Sequence, residues 1–248
     1  MKELIINIFR SLGLSIGKFE QKRYDERKTY FRNKKIFDRY KDFTMIPELV
    51  YMDNLSVAGL AAQVQGDIVE CGVWRGGMIA GISDILGKNR KYWLFDSFEG
   101  LPAPDAGKDG DTAVHWQTNK DSKYYYDNCA AEIDFAKKAM NLSGNARAEF
   151  VKGWFNETVQ KSEVKEIALL RLDGDWYEST MTCLEAFYPR VVSGGIIILD
   201  DYYFWEGCSR AVHDYFSRNS LTDKIHESPQ GVAYIIKNKS YNEFLKSA

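Results

Sequence analysis

The sequence predicts a single α/β domain in which a doubly wound, mostly parallel sheet carries helices on both faces. Short apolar runs rich in Ile, Val, Leu and aromatic residues recur from Asp67 onward, and helical patterns separate them. Such an alternation is typical of right-handed βαβ crossovers, whose strands are buried on both faces. The length of 248 residues also suits one domain of this class.

Six apolar runs are predicted to be strands. In chain order they are 67–71, 91–96, 148–151, 167–173, 195–200 and 232–237. Helices are predicted at 49–64, 78–86, 124–140, 178–188 and 208–216. In an open parallel sheet, ligands bind beyond the carboxyl ends of the strands. The residues at the strand ends are therefore the candidates for function.

The region ahead of the sheet, residues 1–48, is predicted to be a helical arm or lid on a main domain of residues 49–248. Residues 1–17 are apolar but interrupted by charge, which indicates a surface helix rather than a signal peptide. Residues 18–41 mix basic and aromatic side chains. We interpret them as an amphipathic helix docked on its own domain or on a second subunit, with a nucleic-acid arm as the alternative.

Composition and charge narrow the choice of partners. The chain is 45% hydrophobic and 27% charged, as in ordinary globular proteins, and its formal net charge is -2 at pH 7. No overall positive field attracts nucleic acid or an anionic membrane. The four cysteines are scattered without metal-ligand spacing, and no apolar run approaches the roughly 18 residues of a membrane span. We expect a cytoplasmic protein with a small-molecule partner and neither a nucleic-acid nor a membrane partner.

The first predicted strand runs into a glycine-containing turn, Glu70-Cys71-Gly72-Val73-Trp74-Arg75-Gly76-Gly77. Glycines let the backbone approach a ligand closely, and the following helix N-terminus offers N–H groups to a carboxylate. A strand-to-helix turn without any ligand also needs glycines. The spacing is not G-x-G-x-x-G, which argues against a dinucleotide. Asp96 ends the second strand. Its carboxylate there either accepts hydrogen bonds from the hydroxyls of a ribose or caps the next turn.

Two acidic pairs follow neighbouring predicted strands. Asp173 and Asp175 end one strand, and Asp200 and Asp201 end the next. Carboxylates gathered in this way repel one another, so they either take up protons or bind a cation. Oxygen ligands suit Mg²⁺, with Mn²⁺ or Ca²⁺ as alternatives. The competing interpretation is that each pair caps its own loop.

A long stretch from 97 to 122 has no predicted helix or strand and contains prolines, glycines and several Asp residues. Loops of this length are uncommon in compact domains unless they are functional, so we interpret this one as a lid or substrate loop. The aromatic residues 202–205 beside the second acidic pair either line an acceptor pocket or cover the sheet edge.

Five strings resemble the macrocin O-methyltransferase family, whose members methylate sugar hydroxyls of macrolide antibiotics. They are ECGVWRGG, LFDSFEGLP, KGWFNET, RLDGDWYEST and GGIIILDDY, and they span roughly Asp67 to Tyr202. The resemblance implies a Rossmann-like, class I fold that depends on S-adenosylmethionine (SAM). It implies Mg²⁺ held by Asp173, Asp200 and Asp201. The residues that it places around SAM are Glu70, Gly72, Trp74, Arg75, Gly76, Asp96, Ser97, Gly153 and Trp154.

Taken together, these motifs and the resemblance predict methyl transfer from SAM to a hydroxyl of a sugar or glycosylated small molecule. A carboxylate near a cation-bound hydroxyl removes its proton. Asp173 is the preferred base, with Asp175 and His115 as alternatives. Three other hypotheses stay open: a non-catalytic SAM-binding scaffold, methylation of another small-molecule hydroxyl, and methylation of nucleic acid. A homo-oligomer through the N-terminal arm is also compatible with the pattern.

Overall fold

The computed structural model describes residues 16–238, and side chains from residue 25 onward. A seven-stranded sheet lies between two layers of helices, in the strand order β3-β2-β1-β4-β5-β7-β6. The strands are β1 (Asp67–Cys71), β2 (Tyr92–Asp96), β3 (Ala148–Lys152), β4 (Ile167–Leu172), β5 (Val191–Leu199), β6 (Ile225–Glu227) and β7 (Ala233–Ile236).

The α-helices alternate with these strands. They are α1 (Ile16–Tyr40), α2 (Glu48–Ala58), α3 (Gly77–Leu86), α4 (Ala106–Thr118), α5 (Ile133–Ser143), α6 (Phe155–Thr158), α7 (Tyr177–Phe187) and α8 (Glu206–Arg218). Strands β1 to β5 pair in parallel, whereas β7 pairs antiparallel with both β5 and β6. The prediction of an α/β, mostly parallel, doubly wound sheet is confirmed.

Strand residues alternate between two cores, one on each face of the sheet. Ile68 faces the core beneath α1, α2 and α3, and the next residue, Val69, faces the core beneath α7 and α8. Consecutive side chains of a strand point to opposite faces, so both faces of the apolar runs are buried. This double burial explains why the predicted strands read as continuous apolar runs.

Three predicted elements need correction, and one observed strand has no counterpart in the prediction. The stretch 97–122 contains the helix α4, and the predicted helix 124–140 begins only at Ile133. The short strand β6 was not predicted. The helix predicted at 49–64 ends at Ala58 and continues as a 3₁₀ turn to Gln63.

Helix α1 packs against α2 and α3, and its residues Ile36 and Tyr40 belong to the core of the sheet domain. Its Phe31 stays 68% exposed. Residues 1–15, on which the predicted surface helix depends, lie outside the described residues. The division at residue 48 and the homo-oligomer stay predictions. Within residues 16–238, no helix is long and apolar enough to cross a membrane.

Candidate active site

A cavity of about 1120 Å³ opens at the carboxyl ends of β1, β2, β4 and β5. Strand order reverses between β1 and β4, which makes this edge the switch point where such sheets bind ligands. Segment 97–132, which joins β2 to α5 and includes α4, covers one side of the cavity. The volume exceeds the roughly 300–1,000 Å³ of a pocket for one drug-sized ligand, so the cavity has space for more than one molecule.

The turn after β1 requires glycine for two reasons. Gly72 has a φ of +87°, and a Cβ there would lie 1.6 Å from the carbonyl oxygen of Asp173. The Asp173 N–H in turn donates to the Cys71 carbonyl at 2.8 Å. The ends of β1 and β4 therefore touch through backbone, which brings the glycine turn and the acidic residues after β4 into one site.

Asp96 holds the glycine turn in place. Its carboxylate accepts the backbone N–H groups of Val73 at 2.6 Å, Trp74 at 2.9 Å and Phe98 at 2.6 Å. Burial raises the pKa of Asp96, and these three N–H groups act in the opposite direction. A carboxylate has about four acceptor positions, so one remains for a ligand hydroxyl.

Most of the residues predicted around SAM meet at this cavity. Those that line it are Glu70, Gly72, Trp74, Asp96, Ser97 and Trp154. Arg75, Gly76 and Gly153 do not line it. The guanidinium of Arg75 instead lies over the rings of Trp74 and Phe135, at 4.5 and 4.7 Å from their centroids.

Two buried polar atoms in the cavity wall fit a polar ligand such as SAM. Within the described part of the chain, Oε2 of Glu70 and Nε1 of Trp74 have no hydrogen-bond partner. Buried polar groups are normally satisfied, so an unmatched acceptor and donor in a cavity wall are an argument for a bound molecule. The ammonium and carboxylate groups of SAM have the chemistry to match them.

Three of the four acids that follow β4 and β5 form one group. Asp173, Asp175 and Asp201 each offer an oxygen within 4.8 Å of the others, which is the spacing of a cation site. Asp200 lies outside this group and pairs with Nη2 of Arg171 at 2.5 Å. Of the predicted metal ligands, the structure therefore groups Asp173 and Asp201 and places Asp200 on the arginine.

Arg171 lies inside β4 and is 1% exposed. Besides Asp200, it pairs with Glu70 at 3.1 Å and with Asp173 at 2.7 Å. Burial opposes the charged form of Arg171, yet the surrounding acids raise its pKa well above the ordinary value. One buried cation thus connects the cofactor side of the cavity with the acidic side.

Burial raises the pKa values of the three acids in the group. Burial is the largest cause that raises the pKa of Asp175 to about 8, and the neighbouring acids add to it. Burial likewise raises the pKa of Asp201 well above its ordinary value. Burial raises the pKa of Asp173 to about 6, against the opposing effect of Arg171. Ionising several buried carboxyls in one place is unfavourable unless a positive charge is present. A hard divalent cation supplies that charge, since it binds carboxylate oxygens and replaces their protons.

Segment 97–132 brings its own groups to the cavity. His115 on α4 lines it, together with Trp116, Tyr124 and Tyr126. The buried Asp109 ties the segment to α7 by accepting the Tyr177 N–H at 2.7 Å. Residues 126–129 all have positive φ between 50° and 58°.

Arg171 and the indole of Trp205 are site residues that the sequence pattern does not predict. An arginine between apolar residues of a buried strand is itself a signal, because a buried charge must be paired. The sequence predicts only pocket lining or sheet cover for Trp205. The structure shows its Nε1 donating to Oδ1 of Asp175 at 2.8 Å.

Residues 20–235 match the family described as macrocin O-methyltransferase. The chain belongs to this family. The predicted membership is confirmed by a match that covers most of the chain, from within α1 to within β7.

Two relatives of this macrocin O-methyltransferase family member illustrate the range of the family. The 8-demethyl-8-(2,3-dimethoxy-alpha-L-rhamnosyl)-tetracenomycin-C 4'-O-methyltransferase of Streptomyces olivaceus is 35% identical over 187 residues, which are 71% of this chain and 69% of the relative. The mycinamicin III 3''-O-methyltransferase of Micromonospora griseorubida is 36% identical over 177 residues, 68% of each chain.

Among solved structures, the O-methyltransferase NovP superposes with a TM-score of 0.68 at 28% identity, covering 79% of this chain and 83% of NovP. The prediction of a class I, SAM-dependent O-methyltransferase is therefore confirmed. The hypothesis of a non-catalytic scaffold loses its support, because the family is described by a methyltransferase activity and both relatives are named as O-methyltransferases.

Proposed function

We propose that this family member methylates a hydroxyl of a sugar, and that the sugar belongs either to a polysaccharide precursor or to a natural product. The observation that carries the proposal is that the carboxylates of Asp173, Asp175 and Asp201 lie close together in the same cavity as the glycine turn. The relatives support the sugar, since one is named for a rhamnosyl compound. The size of the cavity supports a second molecule beside the cofactor.

SAM, when bound, supplies an electrophilic methyl group on a sulfonium sulfur, which leaves as a neutral thioether. We place it against Glu70, Gly72, Trp74, Asp96, Ser97 and Trp154. Glu70 offers its unmatched oxygen to a ligand N–H, and Asp96 offers its remaining acceptor position to a ribose hydroxyl. Gly76, Gly153 and Arg75 act by setting the course of the backbone and the position of Trp74.

We assign Mg²⁺ to Asp173 and Asp201, the two residues shared by the predicted ligand set and the observed group. Mn²⁺ or Ca²⁺ would suit the same oxygens. Such an ion would lower the pKa of an acceptor hydroxyl and fix its orientation. Asp200, the third predicted ligand, is paired with Arg171 in this structure, so its contribution to cation binding is the point to test.

The preferred base is Asp175 rather than Asp173. Asp173 is ion-paired with Arg171 at 2.7 Å, which reduces its affinity for a proton. Asp175 lines the cavity, and among the described residues it has no ion-pair partner; its contacts are the Trp205 N–H and, through its own backbone N–H, Asp201. His115 faces the cavity from α4 and is the remaining candidate for accepting the proton.

The activity is tested by incubating the purified protein with SAM and a panel of glycosides, and by locating the added methyl group with mass spectrometry and NMR. Transfer to a sugar hydroxyl is the expected result. Transfer to a phenol or other non-sugar hydroxyl, with glycosides left unmodified, would contradict the sugar and support the alternative acceptor. Salt-sensitive binding of RNA or DNA would revive the nucleic-acid hypothesis.

The cation is tested by the same assay with a chelator, followed by added Mg²⁺. Chelation should abolish transfer and Mg²⁺ should restore it. Asp201→Asn and Asp200→Asn form a matched pair, because one residue is in the observed group and the other is on the arginine. Activity that is indifferent to the chelator would remove the metal from the proposal, and loss of Mg²⁺ binding in Asp200→Asn would bring Asp200 back into the ligand set.

A further inference from the structure

Trp205 is a buried tryptophan at the start of α8, with 5% of its surface exposed. Its backbone N–H donates to the carbonyl of Asp201 at 2.9 Å. Its indole N–H reaches in the other direction and donates to Oδ1 of Asp175 at 2.8 Å. One residue that follows β5 thereby holds an acid that follows β4.

Asp175 needs such a contact because little else fixes its side chain. Its φ is +58°, which places it in the left-handed region, and its backbone N–H donates to Oδ2 of Asp201 at 3.0 Å. The terminal torsion of an aspartate is broad, so the carboxylate can turn unless a donor holds one oxygen. The indole holds Oδ1 and leaves Oδ2 for the cavity.

The indole of Trp205 is itself locked by other rings. It packs edge-on against Trp176 at 5.0 Å between centroids and against Trp116 at 6.0 Å, and Phe204 lies at 4.6 Å. A ring with neighbours on several sides has little rotamer freedom. Its N–H direction is therefore fixed before any ligand arrives.

The three tryptophans of this cluster use their N–H groups differently. Trp176 donates to the carbonyl of Pro102 at 2.9 Å, and Trp116 donates to the carbonyl of Tyr124 at 3.1 Å. Only Trp205 among these three donates to an acidic side chain. The cluster thus contains its own control, since Trp176 is a buried aromatic residue like Trp205 but its indole N–H donates to a backbone carbonyl instead of an acid.

We propose that Trp205 is a positioning residue for methyl transfer, acting through the carboxylate of Asp175. The inference rests on the proposed function, in which Asp175 takes the proton of the acceptor hydroxyl. The hydroxyl oxygen attacks the methyl carbon of SAM, and the bond from that carbon to sulfur breaks as the thioether leaves. Trp205 holds Oδ1, so that Oδ2 faces the acceptor. Removing a group that orients a functional side chain commonly costs roughly 10- to 100-fold in activity.

The test compares Trp205→Phe with Trp176→Phe, since each loses one N–H and keeps a ring. We expect the kcat of Trp205→Phe to fall at least tenfold with the KM for SAM within about twofold. Trp176→Phe should show a similar change in Tm and a kcat within about threefold of the wild type. Equal kcat losses in the two variants would overturn the proposal and leave Trp205 a packing residue.

A double-mutant cycle with Asp175→Asn identifies the route of the effect. If Trp205 acts through Asp175, then adding Trp205→Phe to Asp175→Asn should cause little further loss of kcat. Multiplying losses would show that the two residues act independently and would overturn the proposal.

Crystal structures of the wild type and of both phenylalanine variants give a readout that does not depend on activity. The Asp175 carboxylate should rotate in Trp205→Phe and stay in place in Trp176→Phe. An unmoved carboxylate in Trp205→Phe contradicts the inference even if every variant is active. A wild type that methylates no sugar contradicts the proposed function instead, and the carboxylate's position still decides the role of Trp205.

Discussion

Arg171 is a single cation enclosed by three acids inside a buried strand, and its environment makes it costly to replace. Glu70, Asp173 and Asp200 all lie within 3.1 Å of its nitrogens. Removing one partner from a buried ion-pair network leaves uncompensated charge, which costs far more than the network contributes to stability. The residue therefore fixes both the fold at the β1–β4 junction and the direction of two acids.

We expect Arg171→Met to lower the free energy of unfolding by about 3–5 kcal/mol at pH 7.5, because the buried cation that pairs with Glu70, Asp173 and Asp200 is lost. Urea denaturation followed by circular dichroism measures the change. Arg218→Met is the matched control, since Arg218 is 60% exposed and pairs with Glu185 at 3.1 Å. Its loss should stay below about 1 kcal/mol. Similar losses in both variants would contradict the assigned role of Arg171.

Gly72 and Gly231 distinguish the two costs of adding a side chain at positive φ, which are backbone strain and the steric clash of the Cβ. Their φ angles are +87° and +80°, but a Cβ at Gly72 meets the Asp173 carbonyl, whereas at Gly231 nothing lies within 4 Å. Gly231→Ala should cost about 1–2 kcal/mol from the backbone alone. Gly72→Ala should cost roughly 1–3 kcal/mol more and weaken binding of S-adenosylhomocysteine, as measured by thermal unfolding and calorimetry. Equal costs would show that the β1–β4 contact yields easily.

At the scale of elements, segment 97–132 departs most from the sequence prediction. Residues 126–129 carry a left-handed turn with no glycine, although their sequence was included in the predicted helix 124–140. Asn128 holds this turn: its Nδ2 donates to the Leu101 carbonyl at 2.8 Å and its Oδ1 accepts from Gln117 at 3.0 Å. Such strained backbone persists only where surrounding contacts impose it.

We expect Asn128→Ala to loosen this turn, because it removes both side-chain hydrogen bonds and leaves the left-handed residues held by backbone hydrogen bonds. Limited proteolysis should cut segment 97–132 faster, and the KM for the acceptor should rise severalfold while SAM binding stays unchanged. Asn141→Ala, at an exposed position of α5, is the control. An unchanged cleavage rate in Asn128→Ala would show that the turn is held by other contacts.

The strands and their ends could be predicted because a doubly buried strand needs an unbroken apolar run, a local property. The placement of Asp96, Asp173 and Asp201 at one edge followed from the prediction of a parallel sheet, in which these residues lie at the carboxyl ends of strands. The pairing of Arg171 with Glu70 joins residues 101 positions apart, and that of Trp205 with Asp175 joins residues 30 apart. Neither leaves a periodic trace in the sequence. The left-handed turn is imposed by Leu101 and Gln117, so local propensity did not show it.

At the scale of the whole molecule, the formal net charge of -2 counts every acid as ionised, although folding removes several of them from water. Burial raises the pKa of Glu70 to about 8, with Arg171 acting in the opposite direction, and burial raises the pKa of Asp175 to about 8. The corresponding groups in an unfolded chain ionise near pH 4. Between about pH 4 and pH 8 the folded state therefore binds more protons than the unfolded state.

Because the folded state holds the extra protons, its stability should fall as pH rises from about 5 to 8 when no cation is present. Each group contributes a slope of up to about 1.4 kcal/mol per pH unit. Urea denaturation across this range, with chelator, measures the total, and Asp175→Asn should give a shallower slope because it removes one of the two groups. Saturating Mg²⁺ should flatten the curve further, since a cation at Asp173 and Asp201 favours the ionised acids around it. A stability that rises with pH in the chelated protein would mean that these carboxyls are ionised in the folded state, and that Arg171 neutralises more of the cluster than its contacts indicate.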